Sequence, residues 1–309
     1  LDDLRGMYAF ALHDAAAGRL VLGRDRLGIK PLFYVRLPDR IAFASEIKAL
    51  LPLLTQGPEV DPCALRQFLQ NQFATGEETI LSGIRRVLPG EALIIDRELR
   101  VRPHRYWCAR DVAPRAWGEE EAQAELDRLM GQVMREHMRS DVPFGLFLSG
   151  GTDSAILAER LAALGAGPIK TFSVGYAGAT RVDELDEATR IAAQLGLDHR
   201  ALRLSLPQVF GRIPHTIWAG DELMRDYASL PTSILAETAG AELKVVFSGE
   251  GGDEVFAGYR RYRPGLAERW FKSLRHPGSG GFRTRGQWAP RWSRRLFGAA
   301  LRAVAAPDW

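Results

Sequence analysis

From residue 144 to residue 247 the chain alternates short apolar runs with helix-patterned runs, and this rhythm restricts the fold more than any other feature. FGLFLS, IKTFSV, HRALRLS and LKVVFSG read as strands, while DSAILAERLAAL, DELDEATRIAAQLG and LPTSILAETAGA read as helices between them. Strands joined through helices of this length pair in parallel, and their sheet is covered on both faces. A long amphipathic helix, EEEAQAELDRLMGQVMREHM, precedes the rhythm, with acids in its first turn where the helix dipole favours them.

The part before it has another pattern. GRLVLGRD, KPLFYVRL and RIAFAS are short, aromatic and β-branched, with Gly28 and Pro31 marking a turn, and they read as strands. EIKALLPLL reads as a short helix, and DPCALRQFLQNQF as another, capped by Asp61 with Pro62 at its first position. GIRRVLPGEALIIDRELRVRPHRYW returns to strand, with Pro89-Gly90 as a turn. Between Cys108 and Gly118 the pattern lapses around Pro114, which marks a linker. We therefore expect two domains, a β-rich one at 1–110 and an α/β one at 111–309.

The net charge of +3 conceals an asymmetry. Residues 260–302 carry 12 Lys/Arg and a single acid, Glu268, whereas the remaining residues hold 29 basic and 37 acidic side chains. A solvated, Arg-rich helical surface explains that segment, and attraction to phosphate or RNA is the competing explanation. No run of about 18 uncharged apolar residues occurs, so no transmembrane helix is expected. Cys63 and Cys108 have no metal-ligand spacing and are too few for a disulfide framework; both read as small buried hydrophobes, in keeping with a cytoplasmic location. The six histidines are scattered and form no catalytic constellation.

Two strand ends carry the chemistry. FLS runs into Ser149-Gly150-Gly151-Thr152-Asp153-Ser154 and then a helix. Glycines there let backbone amides approach an anion, hydroxyls add donors, and the helix start adds partial positive charge. The turn suits phosphate oxygens, yet it lacks the lysine of the common P-loop and carries Asp153, whose carboxylate faces phosphate only through a cation such as Mg²⁺. Taken alone, the same residues describe a plain helix cap equally well. VVFS then leads into Gly249-Glu250-Gly251-Gly252-Asp253-Glu254, where three acids crowd among three glycines after a strand. Ligands of open α/β sheets bind at that edge. Asp153 and Asp253 are candidates to share Mg²⁺, and Glu250 to steer an amine or move a proton. Solvated loop acids are the plain alternative.

With these motifs in view, the chain resembles a known family. Ser149–Ser154 resembles the pyrophosphate loop of N-type ATP pyrophosphatases. SGEGGDEVFAGY resembles the second signature of glutamine-dependent asparagine synthetases, and LDDLRGMYAFALHD, GRDRLGIKPLFY and FASEIKALL resemble late strands of that family's glutaminase domain. The resemblance covers most of residues 1–265. It implies an α/β plus α+β chain: part of an N-terminal-nucleophile glutaminase domain, then a parallel-sheet ATP pyrophosphatase domain. It implies that ATP adenylates a side-chain carboxylate, L-aspartate above all, and that ammonia drawn from glutamine attacks the acyl-adenylate to give the amide, AMP and pyrophosphate. Leu148 and Val174 then border the adenine, Ser248 and Gly249 close over the nucleotide, and Ser149, Gly150, Gly151, Asp153 and Ser154 hold the pyrophosphate. The resemblance assigns Mg²⁺ to Asp153 and Asp253 and the reacting centre to Glu250. Asp183-Glu184 falls where the family often has an acidic pair, though first-turn helix acids explain it as well.

The chain also departs from the family. It begins at Leu1 where the family has a nucleophilic cysteine, and it lacks the Asn-Gly-Glu glutamine-binding segment. A family lysine of the synthetase domain falls past Trp309. We expect a fragment cut at both ends that does not itself hydrolyse glutamine. In DELMRDYASL, Tyr227 stands where aspartate users have arginine, with Arg225 as a possible substitute. A tRNA-modifying pyrophosphatase-loop enzyme and a non-catalytic nucleotide-binding remnant are the competing readings. No membrane and no nucleic-acid partner is expected, and a homodimer is left open.

Overall fold

The computed structural model of the chain describes residues 1–54, 57–165, 169–178, 184–223 and 226–259. It divides into two compact units, Leu1–Phe247 and Ser248–Trp309. The basic segment at 260–302, Asp183 and Arg225 lie outside the described residues.

The first unit opens with two antiparallel sheets. One has the order β1 (Ala9–Asp14), β2 (Arg19–Arg24), β6 (Glu91–Ile95), β7 (Val101–Arg105); in the other, β3 (Phe33–Arg36) lies between β4 (Ile41–Ala44) and β5 (Ile84–Arg86). Side chains alternate faces along a strand, and β3 is buried on both. Tyr34 joins a cluster with Leu22, Val87 and Leu93, while Phe33 and Val35 pack with Ile47, Leu50 and Ile84. One strand thus serves two cores.

The turn after β2 is held by charge. Asp25 is 1% exposed, and its carboxylate accepts from the N–H groups of Tyr8 (3.3 Å), Leu27 (3.1 Å), Ile29 (3.0 Å) and Lys30 (3.0 Å). The Arg24 guanidinium donates to the carbonyls of Lys30, Val87 and Gly28 at 2.7–2.8 Å, and burial lowers its pKa. Tyr106 donates to the Arg24 carbonyl at 2.5 Å and pairs with the Tyr8 hydroxyl; burial first, then that pairing, raises its pKa.

EIKALLPLL is not one α-helix but two 3-10 turns, Ile47–Ala49 and Leu51–Leu53. Pro52 has no N–H and cannot extend a continuous helical ladder. The helix α1 (Pro62–Asn71) starts as expected, with Asp61 Oδ1 accepting from Ala64 N at 2.7 Å. Cys63, by contrast, is exposed and Cys108 half-buried, so neither is a core hydrophobe. Cys63 sits in the first turn of α1, whose buried residue is Ala64.

The rest of the unit is the parallel α/β layer. After α2 (Glu119–His137) come β8 (Phe144–Phe147), α3 (Thr152–Ala163), β9 (Lys170–Tyr176), α4 (Glu184–Gln194) and β10 (Asp198–Leu204). Three helices come next, α5 (Leu206–Gly211), α6 (Ile213–Gly220) and α7 (Ser229–Gly240), of which the sequence pattern marks only the last, and β11 (Val245–Phe247) closes the unit. Every pair in the sheet β10-β9-β8-β11 is parallel. Leu146 and Leu148 pack with Ala158, Leu161, Ala188 and Ala192 in one cluster, while Phe172 packs with Leu235, Ala239 and Leu243 in another. No helix among the described residues is long and apolar enough to cross a membrane. In the second unit, the described residues 248–259 hold one short helix, α8 (Gly252–Phe256).

Candidate functional site

The first glycine turn joins β8 to α3 at the carboxyl end of the parallel sheet. Leu148 is 1% exposed, its N–H donates to Phe172 O at 2.9 Å, and its carbonyl accepts from the Ser173 hydroxyl. It fixes the strand end from within the core. Val174, two residues beyond Phe172 on β9, is half-buried and packs against the Phe172 cluster.

Gly150 turns the chain with φ +78°, and a Cβ there would meet Glu184 O at 2.6 Å and Ala188 N at 3.1 Å. Only glycine allows the turn to lie directly on the first turn of α4. The Ser154 hydroxyl is 3.0 Å from Ser149 Oγ, accepts from Ser149 N at 3.2 Å and lies 3.1 Å from Gly151 O. With Ser154 only 3% exposed, that hydroxyl ties the loop to itself. Gly151 N donates to Ser149 Oγ at 3.3 Å, whereas the amides of Gly150, Thr152 and Asp153 have no acceptor among the described residues. Three donors are thus available beside the start of a twelve-residue helix, where the dipole adds positive potential. Asp153, the second residue of α3, is half-buried, and no described group donates to its carboxylate.

A cavity of about 510 Å³ runs along the outer side of this turn, lined by Gly150, Gly151 and Thr152 together with Asp127 of α2 and Glu187 of α4. A larger one, about 750 Å³, lies between α6 and α7 and does not touch the turn.

The second glycine turn belongs to the second unit. Gly251 takes φ +93° and caps α8, Gly252 N donates to Gly249 O at 3.4 Å, and Glu250 N reaches Ser248 Oγ at 3.5 Å. Ser248 and Glu250 are exposed; Gly249 and Asp253 are half-buried. A Cβ on Gly258 would collide with the Asp253 carboxylate, and Gly258 N donates to Asp253 O at 2.9 Å. Gly258 therefore shapes the place of Asp253, a role the sequence signals only as the glycine of AGY.

Among the described residues, no three His, Cys, Asp or Glu side chains gather as an all-protein metal cage. The residues present nevertheless suit Mg²⁺, which keeps several waters and binds proteins through one or two carboxylates plus substrate phosphates. Asp153, to whose carboxylate no described group donates and which has unpaired amides beside it, fits that requirement.

The family profile described as asparagine synthase matches residues 125–307, and one described as a glutamine amidotransferase domain matches residues 1–107. Asparagine synthetase (glutamine-hydrolyzing) 1 of Bacillus subtilis is 34% identical over 271 residues, covering 88% of this chain and 42% of that protein. A putative asparagine synthetase of Mycobacterium bovis is 36% identical over 284 residues, covering 90% and 43%. Amidase chyE of Penicillium rubens is 30% identical over 283 residues, covering 86% and 42%. The chain spans less than half the length of these relatives.

Proposed function

The chain belongs to the asparagine synthase family, and from that premise we propose that it serves a glutamine-dependent amidotransferase that adenylates a carboxylate and converts it to the amide. The acceptor is L-aspartate and the product L-asparagine. The observation that carries this reading is the Ser149–Ser154 turn, where unpaired amides, a helix start and a free carboxylate meet at the end of β8.

The acceptor carboxylate oxygen attacks the α-phosphorus of ATP, and the bond to pyrophosphate breaks. The amides of Gly150, Thr152 and Asp153 receive the negative charge that grows on the leaving group. Such preorganised donors are worth several kcal/mol where charge develops. Ser149 offers its hydroxyl to the same oxygens, and Gly151 keeps the backbone open to them. Mg²⁺, when bound, neutralises phosphate charge and orients the leaving oxygens; Asp153 and Asp253 are the residues we assign to hold it. Adenine lies along the wall that Leu148 and Val174 support, with Ser248 and Gly249 over the nucleotide. Ammonia then attacks the acyl carbon, AMP leaves, and Glu250 steers the amine and takes its proton. Residues 1–110 form the glutaminase-side domain and 111–309 the synthetase-side domain, working in the cytoplasm on small molecules.

The test is exchange of labelled pyrophosphate into ATP by the intact protein, given aspartate. Asp153→Asn and Asp253→Asn should each slow exchange on the order of a hundredfold. Near-native exchange by both variants overturns the metal assignment. Absence of exchange with aspartate, but not with other carboxylates, overturns the acceptor.

A further inference from the structure

The end of α6 does something that its own helix does not require. Asp221 caps α6 in the left-handed region, φ 62°, a strained place for a residue other than glycine. Its side chain is 10% exposed and its carboxylate bonds outside α6. One carboxylate oxygen accepts from Ile47 N; the other accepts from Lys48 N at 3.1 Å and lies 3.5 Å from Lys48 Nζ. Ile47 and Lys48 open the 3-10 turn Ile47–Ala49, and Glu46, at that turn's own cap position, gives no side-chain cap. Those free amides are satisfied from 174 and 173 residues along the chain. Lys48 Nζ completes the contact, 3.2 Å from Trp218 O and 4.6 Å from the centre of the Trp218 ring.

The next residue repeats the reach, this time toward a strand. Glu222 Oε1 lies 2.5 Å from Arg86 Nη2, and Arg86 Nη1 donates to Ala74 O at 2.9 Å. Arg86 belongs to β5 and its side chain is only 12% exposed. Two successive residues therefore grip two separate pieces of the β-rich half. A two-point attachment restrains rotation as well as distance.

Described residues on either side of this grip line the larger cavity. Glu222, Asp226 and Tyr227 line the 750 Å³ space, with Thr216 and Ile217 of α6 and Ser233 of α7. Asp226 Oδ1 accepts from Ala228 N at 2.9 Å, and Asp226 O accepts from the Ser229 hydroxyl at 2.5 Å, where α7 starts. Four residues separate the end of α7 from β11, so α7 runs against the strand direction. Its start lies at the carboxyl edge of the sheet, the edge that carries the Ser149–Ser154 turn. An acceptor reacting at the α-phosphate has to approach from that edge.

We propose that Asp221 and Glu222 are positioning residues for the carboxylate acceptor: by clamping the end of α6 to the β-rich half, they set the wall of the cavity, formed by α6 and Glu222, against which the acceptor is held. The proposal rests on the amidotransferase reading above. It makes acceptor binding, but not nucleotide binding, depend on Ile47, Lys48 and Arg86, which lie outside the stretch matched as asparagine synthase.

The experiment uses the intact protein with Asp221→Ala, Asp221→Asn and Glu222→Gln. Hydrogen exchange of a peptide spanning residues 46–50 reads the clamp directly. Exchange at least tenfold faster in Asp221→Ala, with Asp221→Asn in between because one carbonyl oxygen remains, is expected; unchanged exchange overturns the clamp. Pyrophosphate exchange reads its purpose. A rise of about tenfold in acceptor KM in Asp221→Ala and Glu222→Gln, with ATP KM unchanged, is expected. Equal rises in both KM values, or none, overturn the positioning role and leave a structural contact. If the wild type exchanges pyrophosphate with no carboxylate at all, the amidotransferase reading falls and the acceptor role with it, while the 46–50 peptide still decides the clamp.

Discussion

Two turns in this chain gather backbone amides at the end of a strand, and they use them oppositely. In the turn after β2, the amides of Leu27, Ile29 and Lys30 all point to Asp25, a carboxylate of the turn itself. After β8, the amides of Gly150, Thr152 and Asp153 find no acceptor among the described residues, and the turn is held together by hydroxyls instead. Both turns use a left-handed glycine pressed against a neighbour, Gly28 on Pro89 and Gly150 on α4. A glycine turn is therefore not in itself an anion site. What differs is whether the chain brings its own anion: the turn that does is a structural knot, and the turn that does not leaves its donors unpaired among the described residues.

The sharpest way to break that contrast is to neutralise the carboxylate of each turn. Asp25→Asn leaves buried N–H donors facing an amide NH2 in place of an oxygen. Each buried donor left unsatisfied costs about 1–3 kcal/mol, so we expect a loss of about 3 kcal/mol or more in urea unfolding. Asp153→Asn should leave stability within about 0.5 kcal/mol, because no described group donates to that carboxylate. Equal losses in the two variants would show that the second turn is as self-sufficient as the first.

The sequence makes the two turns visible, but not the difference between them. Ser149–Ser154 after an apolar run and before a helix identifies the strand, the turn and the helix correctly, because period and glycine position are local properties. The parallel sheet is legible in the alternation of β8 through β11, again a local pattern. The target of the Ser154 hydroxyl is not legible; it depends on Ser149 Oγ standing 3.0 Å away, which only the folded turn decides. Reading Ser154 as a pyrophosphate ligand and finding it bonded within the loop are the same short spacing seen before and after folding. EIKALLPLL misleads for a related reason. Its apolar spacing suits an α-helix, but Pro52 removes a donor, and Asp221, far along the chain, caps the shorter turn that results. Pro207 stands in the first turn of α5 and Pro214 in the first turn of α6, so the stretch forms two short helices and no long periodicity announces them.

The glycines offer a finer comparison, of about 2 kcal/mol and below. A methyl at 150 would press on the backbone oxygen of Glu184 and the nitrogen of Ala188, neither of which yields without moving α4. At 28 it would meet the ring edge of Pro89 at 2.7 Å and the Arg24 guanidinium at 3.2 Å, which have more room to shift. Both positions also carry the left-handed backbone penalty. Gly150→Ala should therefore cost about 2 kcal/mol and Gly28→Ala about 1 kcal/mol in thermal unfolding. The reverse order would mean that the β8 turn can lift off α4, and its free amides would then be less preorganised than the geometry implies.

The smallest expected effect separates the two roles open to Ser154. As a ligand to pyrophosphate and nothing else, it would contribute only when nucleotide is present. As the tie within the turn, it contributes in the empty protein too. Ser154→Ala removes a hydroxyl with three partners from a buried position, so unfolding without nucleotide should be easier by about 1 kcal/mol. Ser149→Ala removes the 3.0 Å partner of Ser154 Oγ and the long contact from Gly151 N, but it leaves Ser154 its bonds to Ser149 N and Gly151 O and sits at an exposed position, so it should cost less than Ser154→Ala. The ATP KM should rise in Ser154→Ala as well, because amides of a loosened turn must be ordered before they can bind. A Ser154→Ala protein whose melting is unchanged without nucleotide, yet whose ATP KM has risen, would return Ser154 to direct contact with the ligand and leave the β8 turn organised by Gly150 and α4 alone.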